Sequence, residues 1–418
     1  MDTDASCRWW VAASVAAAVA AGLACGGGEG AAPPGGADAA AAAPIDTAQG
    51  GQGVWVRRLG GLGTEQVVSM GAGGGGTTVL NLVGDPGPTG LPPYDLGLVR
   101  LRDDGSIAWA KPFHGSYGLT WLSVAVSGMG NTFLSFHTDC VVGNGCMDLG
   151  AGQATGSVVV KLDPSGRVVW QRAIAATDGL SAVTVDGNGG VALAVYRDGK
   201  RLVRYRWDGS RVYDVAAPDV GGPAGPYPLA IGLDPAGNLA VGDGSAFYVL
   251  DPSGKLRWKA DLGAGRIVSI GATARGTVVA VAEFQDVIEW AGTRAITRGG
   301  VSGVFLAVAE ASGAPRFGRE VGGDERSVRG AAVDPAGRVA ILTTAFGGAV
   351  PRDRLEKWNL AGELLWSREL GATAWAVTVD PASHHVRAGG ALYGTVDFGT
   401  GPTTSRGDSD GWVLDVLP

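Results

Sequence analysis

Few side chains in this sequence are suited to nucleophilic, redox or metal chemistry. The chain has four cysteines and four histidines among 418 residues. Cys140 and Cys146 are separated by five residues in "HTDCVVGNGCMDLG", a spacing that predicts a local disulfide in a protein exported to an oxidising compartment. A metal site that also uses His137 or Asp139 is the alternative, although a closed zinc site needs four thiolate or imidazole ligands.

The other candidates for catalysis or metal binding have incomplete patterns. His384 and His385 are consecutive, and successive side chains of a strand point to opposite faces. Asp408 and Asp410 in "GDSDG" match part of a calcium loop, but an arginine stands where the first ligand belongs. The sequence has no nucleophile elbow, zinc-protease motif or phosphate-binding loop. It therefore predicts no catalytic residue, no cofactor and no metal, and it favours a protein that is not an enzyme.

The charge balance narrows the class of partner. Acidic residues outnumber basic residues by 40 to 33, which gives a net charge of −7 at pH 7. Proteins that bind nucleic acid neutralise phosphates with Lys and Arg, so this balance argues against nucleic acid. Hydrophobic residues make up 45% of the chain, and its 72 glycines lie mostly in turns between apolar segments. That arrangement indicates many short β-hairpins rather than a disordered chain.

One phrase of the sequence occurs twice in nearly the same form. It reads "LDPSGRVVW" at 162–170 and "LDPSGKLRW" at 250–258. Asp, Pro and Gly occupy positions that a tight turn favours, and β-branched and aromatic residues flank them. The phrase therefore predicts a strand, a turn and a second strand that carries an aromatic residue. Related phrases complete a series of aromatic anchors at Trp109, Trp170, Tyr213, Trp258, Phe317 and Trp366.

A second type of hairpin alternates with the first, again as strand, Asp- or Gly-containing turn and strand. Two hairpins per repeat give four strands, which is the composition of a β-propeller blade. The anchor spacing of about 50 residues is typical of such repeat arrays. Copies of the second hairpin begin at Leu180, Pro228, Val328 and Ala374, with less regular copies near Glu65, Leu122 and Ile267.

The repeats predict an all-β fold, a β-propeller of seven four-stranded blades over residues 54–418. The last hairpin begins with "GWVLDVLP" at Gly411 and lacks an outer strand. The segment "VWVRRLGG" from Val54 has the aromatic and basic residues of the missing strand. We therefore expect residues 54–60 to complete the last blade and close the ring. Because some copies are degenerate, six or eight blades are the alternatives.

The aromatic anchors are expected to have a structural role. A single blade cannot bury both faces of its sheet, whereas stacked blades can. Each anchor should pack between neighbouring sheets, where it buries about 150–250 Å². Stacking against a sugar or a cofactor is the alternative for each of them.

The first 53 residues differ in composition from the rest. Residues 1–24 end in an Ala-rich apolar stretch that is short for a membrane span and typical of a secretory signal peptide. The stretch closes with "GLAC" at Cys25 and resembles a bacterial lipoprotein signal, in which cleavage leaves a lipidated cysteine. Leu23 departs from that pattern, since it lies one place nearer the cysteine than usual. Residues 25–53 are rich in Gly, Ala and Pro and predict a flexible linker.

This resemblance implies an exported protein that a lipid on Cys25 anchors to a membrane. The expected location is the outer membrane or the cell surface of a Gram-negative-type bacterium. If Cys25 is not lipidated, the protein is periplasmic or secreted. A plain signal peptide and an uncleaved anchor are the alternatives.

The connections that vary in length predict where a partner binds. Turns within hairpins fall on one face of a propeller, and the connections between hairpins and between blades fall on the other. Binding residues often lie on such variable loops of a rigid scaffold. The alternative is that these loops only cover the ends of the ring. The aromatic candidates for a contact face are His114, Tyr117, Trp121, Tyr227 and Trp290.

Residues 377–413 carry the best match to a known repeat, with "VTVD", "AGGALYGTVDFGTG" and "SDGWV". This phrasing resembles the bacterial SBBP-type β-propeller repeat. "LDPSGKLRW" is also similar to repeats of pyrroloquinoline-quinone-type (PQQ-like) propellers and of the propeller lipoprotein of outer-membrane assembly, and "VDPAGNLAV"-like phrases are similar to NHL repeats. Quinoprotein dehydrogenases often carry an adjacent Cys-Cys pair and a calcium-binding acid cluster. This chain has neither, so a quinoprotein is disfavoured.

Together these features predict a non-enzymatic binding scaffold at the cell envelope. Its expected partner is another envelope or extracellular protein, or a glycan, and its expected contact with the membrane is through the N-terminal lipid. A carbohydrate-binding or glycan-cleaving propeller is the alternative, and it requires aromatic residues and paired acids near the ring axis.

Overall fold

The computed structural model is a closed ring of antiparallel sheets. Within the residues that it describes, the chain forms 33 strands and no helix. The described residues are 49–51, 54–60, 63–84, 94–113, 119–138, 148–150, 152–175, 179–196, 199–220, 229–297, 301–321, 326–334, 336–345 and 352–416.

Four antiparallel strands form each of the seven blades. Blades 1 to 3 contain β3 (Thr64–Ala72), β4 (Gly76–Gly84), β5 (Tyr94–Arg102) and β6 (Ile107–Phe113); β7 (Leu119–Val126), β8 (Thr132–Thr138), β9 (Gly156–Leu162) and β10 (Val168–Ala175); and β11 (Gly179–Val185), β12 (Val191–Tyr196), β13 (Lys200–Tyr205) and β14 (Arg211–Ala216). Blades 4 and 5 contain β15 (Ala230–Leu233), β16 (Leu239–Asp243), β17 (Ala246–Leu250) and β18 (Leu256–Asp261); and β19 (Arg266–Ala272), β20 (Val278–Phe284), β23 (Gly303–Ala309) and β24 (Pro315–Val321). Blades 6 and 7 contain β25 (Arg326–Val333), β26 (Val339–Ala345), β27 (Arg352–Trp358) and β28 (Leu364–Leu370); and β29 (Thr373–Val379), β30 (Val386–Leu392), β33 (Asp410–Val416) and β2 (Val54–Leu59).

Three further pieces extend this plan. β1 (Gln49–Gly51) pairs with β2 on the outer edge of blade 7, so three residues of the predicted linker 25–53 form a short strand. The hairpin β21 (Val287–Trp290) and β22 (Thr293–Ile296) is inserted in blade 5. The hairpin β31 (Thr395–Asp397) and β32 (Pro402–Thr404) is inserted in blade 7.

The ring closes through both ends of the described chain. β2 pairs with β33 along its whole length, from Val54 opposite Val416 to Leu59 opposite Gly411. The predicted seven-bladed propeller, closed by residues 54–60, is therefore confirmed. Seven apolar clusters form the core, and each cluster joins two neighbouring blades. A blade is thus stabilised by its neighbours rather than by an interior of its own.

Two faces of the ring follow from this strand order. We call the face formed by the turns within the hairpins, such as 163–167 and 186–190, the short-turn face. The opposite face contains the connections between second and third strands and between blades, such as 284–303 and 392–410, and we call it the long-connection face. The first strand of every blade is innermost and contacts the first strands of its neighbours around the axis.

The repeated turn is stabilised by its own aspartate and glycine. Asp163 Oδ1 accepts hydrogen bonds from the backbone N–H groups of Ser165 (2.9 Å) and Arg167 (3.0 Å). Burial raises the pKa of Asp163, but its hydrogen bonds with Ser165 and Arg167 outweigh this effect and lower the pKa to about 2. Gly166 has a φ of 81°, a left-handed conformation that favours glycine.

Five of the six predicted aromatic anchors pack against a turn glycine of the next blade, and Trp366 does not. Trp170 donates its indole N–H to the carbonyl of Trp207 (3.1 Å), and a Cβ added to Gly209 would lie 3.2 Å from the Trp170 ring. The turn glycine is therefore required both by its backbone conformation and by the ring that covers it. The equivalent pairs are Trp55 with Gly105, Trp109 with Gly166, Tyr213 with Gly254, Trp258 with Gly313 and Phe317 with Gly362.

Candidate functional site

Several predicted functional residues lie outside the residues that the structure describes. They are the signal peptide 1–24, the lipidation site Cys25, the disulfide pair Cys140 and Cys146, and the contact residues His114, Tyr117 and Tyr227. The structure does not test the predictions for these residues. Within the described residues, no helix is long and apolar enough to span a membrane.

Trp290 is a core residue of the insertion in blade 5. Its side chain is 6% exposed, and its indole N–H donates to the carbonyl of Val308 at 3.1 Å. Its ring lies 5.4 Å from the ring of Phe247, measured between centroids. The observed role of Trp290 is therefore to fix the hairpin β21–β22 onto the blade, and little of its surface is available to a partner.

Trp121 lies at the start of the innermost strand of blade 2, on the long-connection side. Its φ is 59°, which is rare for a bulky side chain and stores conformational strain. The ring is half-buried and packs against the apolar cluster between blades 2 and 3. The register of β7 against β8 shifts between Thr120 and Ser123. Trp121 thus sits in a β-bulge, a feature that often re-aims a side chain near a functional site.

The same bulge recurs in other innermost strands. Register shifts occur near the long-connection end of six of the seven first strands, and β15 pairs without one. The residues at these bulges have no common type, so sequence reasoning did not find them. The bulge residues of the five other blades are Val68, Ser181, Val268, Arg329 and Trp375.

A bulge releases a backbone N–H from the sheet, and the preceding blade supplies its acceptor at three junctions. The Glu283 carboxylate accepts from the N–H of Val328 at 2.7 Å. The Asp353 carboxylate accepts from the N–H of Ala374 at 2.7 Å. At the junction of blades 4 and 5, the carbonyl of Gly244 does the same for Ile267. These carboxylates are therefore engaged in holding the bulges.

Arg329 and Trp375 form a cation–π pair across the junction of blades 6 and 7. The guanidinium carbon lies 4.8 Å from the indole centroid, and the Arg329 Nε–H donates to Thr344 Oγ1 at 2.8 Å. Thr344 in turn bonds Asp353. Burial raises the pKa of Asp353, although its hydrogen bonds and the charge of Arg329 oppose that shift. The indole N–H of Trp375 has no acceptor among the described residues.

A second polar layer lies beneath the short-turn face. Arg204 bonds Asp186 at 3.0 Å within blade 3. His384 bonds Asp334 of blade 6 at 3.0 Å, whereas His385 bonds Asp415 of blade 7 at 2.9 Å. The two histidines therefore serve different carboxylates.

The partial calcium motif does not form a metal cluster. Asp410 is fully buried, and its carboxylate bonds the side chain of Arg58 at 3.2 Å and the backbone N–H of Arg406 at 2.7 Å. Across the described ranges there is no group of three or more His, Cys, Asp or Glu side chains that could hold a metal ion.

Some exposed apolar side chains of the described residues lie where sequence reasoning did not place a contact surface. Among the described residues, eight large apolar side chains are strongly exposed, and two of them, Ile296 and Tyr393, lie toward the long-connection face. The other six lie at the short-turn end of their blades: Met129, Val169, Trp207, Leu256, Leu364 and Leu365.

Comparison with known proteins shows what this chain is similar to. No family model matches the sequence, and no curated protein matches it. A protein of unknown function from Bacteroides caccae is similar in structure, with a TM-score of 0.35 and 13% identity over 61% of this chain and 81% of that chain. A chain of a mitotic checkpoint complex has a TM-score of 0.47 and 12% identity over 84% of this chain and 87% of that chain. Both TM-scores are below 0.5, so the class of this protein, a seven-bladed β-propeller, rests on its own strand order.

Proposed function

We propose that this protein is a non-enzymatic binding scaffold of the bacterial cell envelope. The observation that carries the proposal is the group of bulge residues around the axis at the long-connection face. Trp121 is held there with a strained φ, and the Arg329–Trp375 pair presents a cation stacked on an indole. Aromatic and arginine side chains held rigidly are the residues that dominate binding at protein interfaces.

The partner we favour is another envelope or extracellular protein. The long connections lie on the same face as these bulges, and their predicted aromatic residues His114, Tyr117 and Tyr227 would enlarge the surface. Export and lipidation at Cys25 are supported by the lipoprotein-like "GLAC", and the SBBP-like phrasing of 377–413 supports an exported or surface protein. The ring would then be tethered to the outer membrane or the cell surface.

A glycan is the second candidate partner. It is favoured by the half-buried indoles of Trp121 and Trp375 near the axis, because an aromatic face with a polar edge suits a surface that is part apolar and part hydrated. This candidate predicts competition by soluble oligosaccharides, and the protein candidate does not.

The test is cross-linking and co-purification from native membranes. Wild type is run beside Cys25→Ser, Arg329→Ala and Arg206→Ala. Arg206 is an exposed arginine of the short-turn face and serves as the matched control for Arg329. We expect a reproducible partner that is lost with Cys25→Ser and Arg329→Ala and kept with Arg206→Ala.

Two results would contradict the proposal. One is a correctly anchored wild type that captures no protein partner. This result would favour a glycan or a small molecule as the ligand. The other is a partner that Arg329→Ala retains in full, which would remove the long-connection face as the contact surface. Circular dichroism of each variant separates loss of binding from loss of fold.

A further inference from the structure

Six exposed apolar side chains lie at the short-turn end of their blades, two of them in turns and four at the start of outermost strands. They belong to blades 2, 3, 4 and 6, and the largest two, Trp207 and Met129, are 61% and 56% exposed. If these side chains formed a pocket or a compact epitope, they would be clustered on one or two neighbouring blades. A distribution over four blades at one face fits a flat partner as wide as the ring.

The repeat itself shows that Trp207 is not needed for the turn. Its position in the outer turns of the other blades is taken by Asp103, Pro164, Pro252, Ala311 and Leu360. These turns have the same hydrogen bonds without a tryptophan. Formation of the turn therefore does not explain the exposed indole of Trp207.

Met129 departs from the repeat in the same way. Its position in the inner turns holds Asn188, Ala236, Arg275 and Ala336 in blades 3 to 6. Met129 and Trp207 also flank one point of the surface, because a Cβ added to Gly189 would lie 3.7 Å from both side chains.

The backbone that carries Trp207 is fixed from below. Its carbonyl accepts from the indole of Trp170 at 3.1 Å and from the amine of Lys161 at 2.8 Å. The indole of Trp207 thus projects from a rigid base into solvent. Immobilising it against a partner costs little backbone entropy.

The charges of this face are balanced. Each outer turn of blades 2 to 4 places a base beside an acid: Arg167 with Asp163, Arg206 with Asp208, and Lys255 with Asp251. A face of this kind has no strong electrostatic preference, so contact with it should depend weakly on salt.

We propose that the short-turn face rests on a lipid bilayer, with Trp207 and Met129 entering the headgroup region. Tryptophan is enriched at membrane interfaces because its ring is apolar and its N–H is polar. A planar bilayer also meets apolar side chains spread over several blades at once. This inference rests on the proposed lipid at Cys25.

The length of the tether supports this occupant. The predicted linker advances 24 residues from Cys25 to Gln49 (49 − 25), and a random Gly-rich chain of that length has a span of about 27 Å. A folded ring of this size is about 50 Å wide, so the tether keeps it close to the membrane. Gln49 pairs with Val56, about 7 Å along the strand from the short-turn end. β1 runs antiparallel to β2, so the chain joins the outer edge of blade 7 and runs from Gln49 toward the short-turn face.

The test uses the full-length lipidated protein, reconstituted by detergent removal into phosphatidylcholine vesicles. Half of the preparations contain dibrominated acyl chains, which quench tryptophan emission at short range. We expect bromine to lower the emission of wild type and expect Trp207→Ser to abolish that loss. The matched control is Trp207→Ser combined with Tyr393→Trp, which moves the exposed indole to the opposite face. In this control the quenching should not return.

The outcomes separate this inference from the proposed function. Flotation of the vesicles reports anchoring by itself, and a wild type that does not float overturns both. A wild type that floats, but whose bromine quenching is unchanged by Trp207→Ser or is regained with Tyr393→Trp, overturns the membrane contact alone. Protection of the 206–210 turn from hydroxyl radicals in native membranes, but not in these vesicles, would assign the face to a protein or a glycan and would also overturn the membrane contact.

Discussion

Six junctions of the ring seat an aromatic side chain on a turn glycine of the next blade, and the junction of blades 6 and 7 does not. At the junction of blades 4 and 5, Trp258 donates to the carbonyl of Ala311 at 3.0 Å and covers Gly313. Trp366 has the same place at the end of blade 6, but its indole N–H has no acceptor among the described residues. Both tryptophans are half-buried, and they differ in whether the next blade supplies an acceptor for the indole N–H.

The reason is the position of the chain ends. In blade 7 the turn that would receive Trp366 is replaced by the gap between Val416 and Val54. The blade is held instead by the pairing of β2 with β33 and by Phe398, whose ring lies 4.8 Å from that of Trp412. Closing the ring through β2 and β33 therefore leaves blade 7 without an interlocking turn on the short-turn face, while its added hairpin lies on the long-connection face.

The largest expected effect comes from removing the anchor itself. Trp258→Ala should lower the free energy of unfolding by about 3 kcal/mol, since it loses a large apolar side chain and its hydrogen bond. Trp366→Ala should cost about 1 kcal/mol less, because that indole has no hydrogen bond to lose. Urea denaturation of the two variants measures the difference. Equal losses would show that the turn of the next blade adds nothing.

The next effect comes from the glycine under the anchor. Gly313→Ala should destabilise the protein by about 3 kcal/mol, the sum of a left-handed backbone and a methyl group 2.7 Å from the Trp258 ring. Gly263 also has a positive φ, of 73°, but has nothing within 4 Å. Gly263→Ala should therefore cost only about 1 kcal/mol. If both variants lose the same stability, the ring does not constrain the turn.

The smallest expected effect concerns the acid of the turn. Because the pKa of Asp163 is lowered to about 2 from an ordinary 3.8, its charge stabilises the fold above about pH 4 and this contribution is lost as the pH falls toward 2. Solvent screening limits the contribution to about 1 kcal/mol. Asp163→Asn should remove that part of the acid dependence in a pH series of denaturation curves.

Blade 6 supplies the natural control for this variant. Asn359 occupies the same turn position and accepts from the N–H groups of Ala361 at 2.9 Å and Glu363 at 3.0 Å. The turn therefore forms without a charge. An acid dependence that is unchanged in Asp163→Asn would show that other groups govern stability at low pH.

The architecture followed from the sequence because its signals are local. The Asp–Pro–Ser–Gly turn, the alternating strands and the aromatic residue four positions after the glycine recur in the chain. They predicted four-stranded blades, and the unpaired strand at Val54 predicted the closure. Each of these features is set by neighbouring residues or by a simple count of strands.

The candidate surfaces did not follow in the same way. Trp290 and Trp121 were both chosen as aromatic residues in or near variable connections, yet Trp290 is buried and Trp121 lies in a strained bulge. Burial depends on which neighbouring segment covers a ring, and no local pattern encodes that. The pair of Trp375 and Arg329 also comes from two blades whose contact exists only after the ring closes.

The sequence alone determined the four-stranded repeat, its turns, its turn glycines and its aromatic anchors, because each is fixed by backbone preference over a few residues. Only the tertiary structure decided which turn each anchor covers, where the bulges fall, and that Trp207 and Met129 are exposed in their turns. These properties depend on the packing of one blade against the next. Trp207 illustrates this division. The sequence "RWDGS" predicts its turn, whereas only the folded ring shows that its side chain is exposed.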